Sequence, residues 1–134
     1  MKTYIIDASV LISSLMGERP EIRKRFEKLF ADKKARIMSI PLVKLEFANG
    51  LRFLGCIQEQ ATLAFEKMSG LPIAIFDIKS SHVLEAMKQA FATKTTVYDC
   101  AYHYAAILLD GIFITCDKEY YKKAKDLKHI LLWD

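Results

Sequence analysis

Residues 3–15 read TYIIDASVLISSL, and this stretch decides the fold. Its first four residues are β-branched, aromatic or aliphatic and predict a strand over residues 3–6. After Asp7, apolar residues recur at helical spacing and predict a helix over residues 9–15. The acid in the middle of the apolar run argues against a secretory leader and favours a buried first strand.

The same alternation of short apolar runs and longer helical segments continues along the chain. Further strands are predicted over residues 36–38, 73–76, 112–115 and 130–132, and helices over residues 20–32, 41–54, 58–68, 81–91, 97–109 and 118–125. Five strands separated by helices predict an α/β fold, a three-layer α/β/α sandwich with a mostly parallel five-stranded sheet. No repeat or linker divides residues 1–134, so we expect a single domain. Ligands of such sheets bind outside the carboxyl ends of the strands.

The composition is that of a globular chain, 52% hydrophobic and 27% charged over 134 residues. No apolar run is long enough to predict a membrane-spanning helix. The cysteines Cys56, Cys100 and Cys116 lack C-x-x-C spacing. This disfavours zinc and disulfides and is consistent with a reducing cytoplasm.

Basic residues outnumber acidic ones by 20 to 16, which gives a net charge of +4. Eight of them lie within residues 19–36, against three acidic residues, and a second basic group lies within residues 118–128. Each group is either a solvated helix face or a surface for a phosphate backbone, and the sequence leaves both alternatives open.

Two acidic residues, Asp7 and Asp117, directly follow predicted strands. Each could simply cap the helix that comes next, since Asp is a favoured N-cap residue. Strand-end carboxylates of a parallel sheet can also lie side by side at one edge, which favours a shared site.

Two more acidic residues lie on predicted helices. Asp99 is in the first turn of a helix that is apolar nearly all round, where a partly buried carboxylate needs a partner or a metal ion. Glu46 is turned by about 200° from Lys44 at about 100° per residue, so it faces inward rather than to solvent.

Four acids converging on one sheet edge would repel one another without a cation. Oxygen ligands without thiolates or paired histidines select Mg²⁺ or Mn²⁺. Such ions commonly promote in-line displacement at phosphorus. The acids therefore predict a metal-dependent phosphodiesterase site.

Four sequence blocks, in order, resemble the PIN-domain ribonucleases, and within them the toxins of VapBC toxin–antitoxin pairs. They are residues 5–12 (IIDASVLI), residues 41–46 (PLVKLE), residues 98–106 (YDCAYHYAA) and residues 114–118 (ITCDK), and together they span nearly the whole chain. Two positions depart from the family: Cys100 replaces a small residue such as Ala, and His103 is not a usual family acid or base. We expect His103 to be hydrogen-bonded within the fold, and Tyr98, Tyr102 and Tyr104 to serve in packing.

The resemblance implies a single PIN domain over residues 1–134 that is a metal-dependent endoribonuclease, often a homodimer. By position, the principal Mg²⁺ or Mn²⁺ ligands are Asp7 and Asp99, with Asp117 as the third site acid. Glu46 then helps to bind metal or to position the attacking water. The resemblance also implies an RNA substrate and a small VapB-like antitoxin whose segment could cover the acidic edge. Ser9 and Thr115 match hydroxyl positions that support the first and last acids, although both could be local turn or cap residues.

Three rival functions stay open or are disfavoured. A PIN nuclease of RNA processing or decay, without a toxin role, has the same residues. A non-cleaving scaffold that binds RNA or protein should have lost acids, and all four are present. A nucleotide-binding Rossmann domain is disfavoured because no G-x-G-x-x-G follows the first strand. For a homodimer, apolar residues on the helix over residues 59–68 are a candidate interface.

Overall fold

Five strands and seven α-helices alternate along residues 1–134, all of which the computed structural model describes. The strands are β1 (Lys2–Ile6), β2 (Ala35–Ser39), β3 (Ala74–Ile75), β4 (Ile112–Thr115) and β5 (Ile130–Leu132). The helices are α1 (Ala8–Leu15), α2 (Pro20–Ala31), α3 (Leu42–Phe53), α4 (Gln58–Ser69), α5 (Ser80–Thr93), α6 (Val97–Leu108) and α7 (Lys118–Ala124). A turn of 3-10 helix at Lys125–Leu127 follows α7. Every predicted element is present, and its ends differ from the prediction by two residues at most.

The strands form one sheet in the order β3-β2-β1-β4-β5, and all neighbouring pairs are parallel. In the middle of the sheet, Ile5 of β1 pairs with Met38 of β2 on one side and with Phe113 of β4 on the other. From β1 the chain proceeds to β2 and β3 and then returns to β4, so the direction of winding reverses between β1 and β4. The carboxyl ends of these two strands therefore border the crevice where such sheets bind ligands.

Helices cover both faces of the sheet, which confirms the predicted α/β/α layering. On one face, the ring of Tyr102 from α6 stacks on Phe113 at 5.8 Å, and Tyr120 from α7 meets the same ring at 6.0 Å. On the other side, α1 packs against α2, α3 and α4, as right-handed crossovers from β1 to β2 and β3 require. The central strands are buried between these layers, and Ile5, Ile6 and Phe113 have no exposed surface.

A glycine brings α3 close to α1. A Cβ atom on Gly50 would lie 2.1 Å from Cδ1 of Ile12, so the space beside Gly50 is already filled by the isoleucine. Glu46 lies one turn earlier on the same face of α3. This close packing therefore turns Glu46 toward α1 and the crevice.

The helix over residues 59–68, the candidate dimer interface, exposes fewer apolar side chains than expected. Ala64 and Met68 are buried against the rest of the domain, and of the large apolar side chains of α4 only Leu63 is well exposed, at 67%. The periodicity gave no means of telling which apolar side of α4 faces the core. Exposed apolar side chains instead line α5, at Val83, Leu84, Met87 and Phe91.

None of the helices combines the length and the apolar character needed to cross a membrane.

Candidate active site at the carboxyl edge of the sheet

Asp7 ends β1 and is also the N-cap of α1, because its Oδ1 accepts a hydrogen bond from the backbone N of Val10 at 3.1 Å. The residue is only 5% exposed. Both of its oxygens accept hydrogen bonds from hydroxyl groups: Ser9 Oγ donates to Oδ1 at 2.5 Å, and Thr115 Oγ1 donates to Oδ2 at 2.7 Å. A buried carboxylate is thereby fixed in one orientation at the crevice.

The same two hydroxyls join the end of β1 to the end of β4. Ser9 Oγ accepts from the backbone N of Cys116 at 3.0 Å, and Thr115 Oγ1 accepts from the backbone N of Asp117 at 3.1 Å. Asp117 in turn caps α7, where its Oδ1 accepts from the backbone N of Tyr120 at 3.0 Å. Asp117 therefore both caps α7 and lies at the shared edge, because only Cys116 and Asp117 separate β4 from α7.

Asp99 reaches the edge from the first turn of α6. The N-cap of that helix is Thr96, whose Oγ1 accepts from the backbone N of Asp99 at 3.2 Å and donates to its Oδ2 at 3.0 Å. This reciprocal pair satisfies an orphan donor of the helix terminus and orients the carboxylate.

Glu46 reaches the edge from the second turn of α3. It is half-buried, whereas Lys44 and Leu45 beside it are exposed. Its Oε1 accepts a hydrogen bond from the hydroxyl of Tyr102 at 2.7 Å. The inward orientation expected from the helical wheel is therefore observed.

The charges of neighbouring acids affect the protonation of Asp7 and Asp99. Burial, with a smaller contribution from the charge of Asp99, raises the pKa of Asp7 to about 6 against the lowering effect of the hydrogen bonds from Ser9, Thr115 and the backbone of Val10. Burial also raises the pKa of Asp99, and the charges of Asp117 and Glu46 act in the same direction. Mutual repulsion thus links all four acids.

No cationic side chain relieves this repulsion. The ion pairs of the protein are Arg19–Glu21 and Lys88–Glu85, and both are exposed. A cluster of one buried and three half-buried acids without a basic partner is unfavourable unless protons or an external cation neutralise it.

The donor set suits a hard divalent ion. Carboxylate oxygens dominate, while burial chiefly raises the pKa of the Cys116 thiol beside Asp117, which keeps that thiol protonated and a poor ligand. No three Asp, Glu, His or Cys side chains come together tightly enough to enclose an ion by themselves. Mg²⁺ is commonly held by one or two carboxylates, with waters and substrate phosphates completing its shell, so an open arrangement fits it.

The second basic group borders this edge. Lys118 follows Asp117 directly, and Lys123 Nζ reaches the carbonyl of Lys94 at 3.5 Å. Lys94 lies two residues before the cap of α6. Of the first basic group, Arg23, Lys24, Arg25 and Lys28 lie on α2, and Arg19 directly precedes that helix. The charge of Arg19 acts on the Cys116 thiol beside Asp117 and opposes the rise in its pKa, so this group also has a member near the edge.

Two residues that support the acids were not predicted from the sequence. Thr96 has a detectable signal, because Thr96 and Asp99 form an S/T-x-x-D pattern at a helix start. Tyr102 has none: it was expected only to pack, and its contact with Glu46 joins residues 56 positions apart.

The buried histidine agrees with its prediction. His103 has no exposed surface, its Nδ1 lies 2.7 Å from the Tyr120 hydroxyl, and its Nε2 lies 2.6 Å from the carbonyl oxygen of Lys128. The carbonyl can only accept, so Nε2 carries the proton and Nδ1 accepts from Tyr120. This network ties α6 to α7 and to the turn before β5.

Comparison with known proteins agrees with this architecture. A family profile described as the PIN domain matches residues 4–126. No curated protein sequence matches the chain significantly.

Several solved structures share the fold over nearly their whole length. A chain in the structure of VapBC2 from Rickettsia felis, bound to a DNA fragment from their promoter, is 15% identical, with a TM-score of 0.73 and coverage of 98% of this chain and 99% of that one. VapBC-1 from nontypeable Haemophilus influenzae is 19% identical, with a TM-score of 0.66 and coverage of 98% and 96%. A toxin–antitoxin complex from Klebsiella pneumoniae is 19% identical, with a TM-score of 0.67 and coverage of 96% and 95%. At these identities, the likeness is one of fold.

Proposed function

The chain belongs to the PIN domain family, and from this premise we propose that it is a metal-dependent endoribonuclease that hydrolyses RNA phosphodiester bonds. One observation carries the proposal: Asp7, Glu46, Asp99 and Asp117 face one another at the carboxyl edge of a parallel sheet with no basic side chain to neutralise them. Such a cluster suits a reaction in which an external cation and a phosphate complete the site.

Each acid has a proposed role that its surroundings support. Asp7, Asp99 and Asp117 would bind the ion directly or through its waters, with substrate phosphates completing the shell, because hydroxyl groups or backbone amides fix all three at the crevice. When bound, Mg²⁺ or Mn²⁺ would supply Lewis-acid activation of water and neutralise charge on the leaving oxygen. Glu46 would orient the attacking water and accept its proton, since its second oxygen, Oε2, is not used by Tyr102.

The RNA strand would follow the basic group on α7. Lys118 follows Asp117 directly, and Lys123 reaches the carbonyl of Lys94. We propose that these lysines contact phosphates on either side of the cleaved bond. Lysine contacts to phosphate position a strand without reading its sequence.

The toxin role is supported by the fold neighbours, several of which are structures of toxin–antitoxin pairs. We therefore propose that a small VapB-like antitoxin binds this chain and covers the acidic edge. We further propose a homodimer through the exposed apolar stripe of α5, which comprises Val83, Leu84, Met87 and Phe91. The three unpaired cysteines are compatible with action in the cytoplasm.

The test of catalysis is RNA cleavage by purified protein in Mn²⁺, in Mg²⁺ and in EDTA, with structured and unstructured RNAs. Cleavage should require the metal ion and should fall by at least about 10²-fold in Asp7→Asn and in Asp99→Asn. Asp126→Asn is the matched control, because Asp126 is an exposed acid on the 3-10 turn. Activity that persists in EDTA, or equally in both site variants, would contradict the mechanism.

A separate experiment addresses the toxin role. Expression of the wild-type chain should arrest growth, Asp99→Asn should not, and the product of an adjacent small reading frame should restore growth and co-purify with the chain. RNA cleavage without growth arrest would favour a nuclease of RNA processing. A folded protein that binds RNA but never cleaves it would favour the scaffold.

A further inference from the structure

Tyr102 is a core residue that ends in the candidate site. It lies in the second turn of α6 and has no exposed surface. Its ring stacks on Phe113 of β4 at 5.8 Å and 7° between planes. Its hydroxyl nevertheless extends to Oε1 of Glu46 at 2.7 Å. The ring is therefore held by the core while the hydroxyl faces the acids.

The hydroxyl lies at the base of the acid cluster. The pKa of Tyr102 is raised above its ordinary value, first by burial, then by its hydrogen bond to Glu46, and then by the charges of Glu46, Asp7 and Asp99. A phenol in these surroundings keeps its proton. It has one proton to donate, and Glu46 receives it.

Glu46 differs from the other three acids in how it is held. Asp7, Asp99 and Asp117 follow a strand or begin a helix, and each is fixed by a cap or a hydroxyl close in sequence. Glu46 stands within α3, has one more rotatable bond than an aspartate, and forms no ion pair. The Tyr102 hydroxyl is its protein hydrogen-bond partner.

We propose that Tyr102 is a positioning residue, whose buried hydroxyl fixes the Glu46 carboxylate against the acidic edge so that Oε2 points to the reacting water. That this water is the one that attacks the phosphate rests on the proposed function. The orientation of Glu46 does not depend on it. In this proposal Tyr102 acts only through Glu46.

The first test needs no activity. In metal-free protein, the side-chain carboxyl ¹³C resonance of Glu46 is identified by its loss in Glu46→Ala. Tyr102→Phe keeps the ring stack and removes only the donor, so this resonance should move to the range of the exposed glutamates. Tyr104→Phe, a matched change on the same helix, should leave it in place. An unchanged Glu46 resonance in Tyr102→Phe would overturn the proposal.

The second test is a double-mutant cycle on RNA cleavage. Tyr102→Phe should lower kcat by about 10- to 100-fold, as is usual when a supporting hydrogen bond is lost, with little change in KM. In the Glu46→Ala background the same change should have less than about a 3-fold effect, because coupled residues are non-additive. Equal losses in both backgrounds would show that Tyr102 acts by another route and would overturn the proposal. If wild type cleaves no RNA, the proposed function fails, and the carboxyl resonance still decides whether Tyr102 orients Glu46.

Discussion

Replacing Asp7 with Asn should stabilise the metal-free protein at neutral pH, although it should abolish cleavage. The pKa of Asp7 is raised from 3.8 to about 6 in the folded state, chiefly by burial. The folded protein therefore holds this proton more tightly than the unfolded chain does. One pKa unit corresponds to about 1.4 kcal/mol, so ionisation of Asp7 costs the fold about 3 kcal/mol once the pH is well above 6.

The sign of the pH dependence follows from that raised pKa. Below about pH 3.8 Asp7 is protonated in both states and the cost is absent. Between about pH 3.8 and pH 6 the folded state keeps a proton that the unfolded chain has lost, so stability declines as the pH rises, and the decline ends above about pH 6. Asn is uncharged throughout, and its side chain can still accept from Ser9 and the backbone of Val10. The difference in unfolding free energy between Asp7→Asn and wild type should therefore grow from pH 4 to pH 7 and then level off.

Urea unfolding measures this difference, in EDTA, at one protein concentration and at intervals from pH 4 to pH 8. The informative quantity is the change with pH, because any fixed difference in packing between Asp and Asn cancels. Adding Mn²⁺ at pH 7.5 should then stabilise wild type and leave Asp7→Asn nearly unchanged, since only the native acid cluster binds the ion. Parallel stability curves for the two proteins would refute the reasoning, because they would mean that Asp7 titrates alike in the folded and unfolded states.

Three further predictions concern the support of the site, the core and the surface. Thr115→Val should lower cleavage by about 10- to 100-fold and cost about 1–3 kcal/mol in urea unfolding, because one hydroxyl serves both Asp7 and the backbone of Asp117; unchanged activity would contradict the link between strand ends. Burial lowers the pKa of His103 below its ordinary 6.5, so the free energy of unfolding should fall as the pH drops below about 6.5. The measurement is best made in Asp7→Asn, where the opposing titration of Asp7 is absent. An unfolding free energy that does not change with pH in this variant would contradict the prediction. Phe91→Ser should convert a dimer to a monomer in light scattering, whereas Leu63→Ser on α4 should not; equal effects of both would reject α5 as the interface.

The fold was predictable from the sequence because its signals are local. The apolar run of β1 and the helical spacing after Asp7 predict the same elements that the folded chain contains. Gly111 likewise marks the end of α6. Their order then fixes a parallel sheet, and the winding reversal between β1 and β4 fixes the crevice. The side of α4 that faces solvent was not predictable, since it depends on how α3 and α4 pack together.

The placement of Asp7 and Asp117 at one edge of the sheet was predictable for a similar reason. Asp7 and Asp117 end strands, and strand ends of a parallel sheet meet at one edge wherever the helices lie. Thr96 could have been found from its cap spacing. Tyr102 could not, because a tyrosine on an apolar helix has the same pattern whether its hydroxyl meets water, a carbonyl or a carboxylate. Only the packing of α6 against the sheet and beside α3 directs it to Glu46.

The core and the candidate site share residues. This explains why the charges at the acidic edge destabilise the fold and why their side chains are held in fixed orientations. Asp7 is buried among the ends of β1 and β4, so its charge is expensive and its position is fixed. Tyr102 completes the core against Phe113 and orients Glu46 with the same side chain. Substitutions that relieve the electrostatic cost should therefore stabilise the fold and impair the reaction together, as is common where function requires a strained or charged site. In Asp7→Asn, stability should therefore rise while RNA cleavage falls. An N-cap residue with only a structural role would not show this opposition.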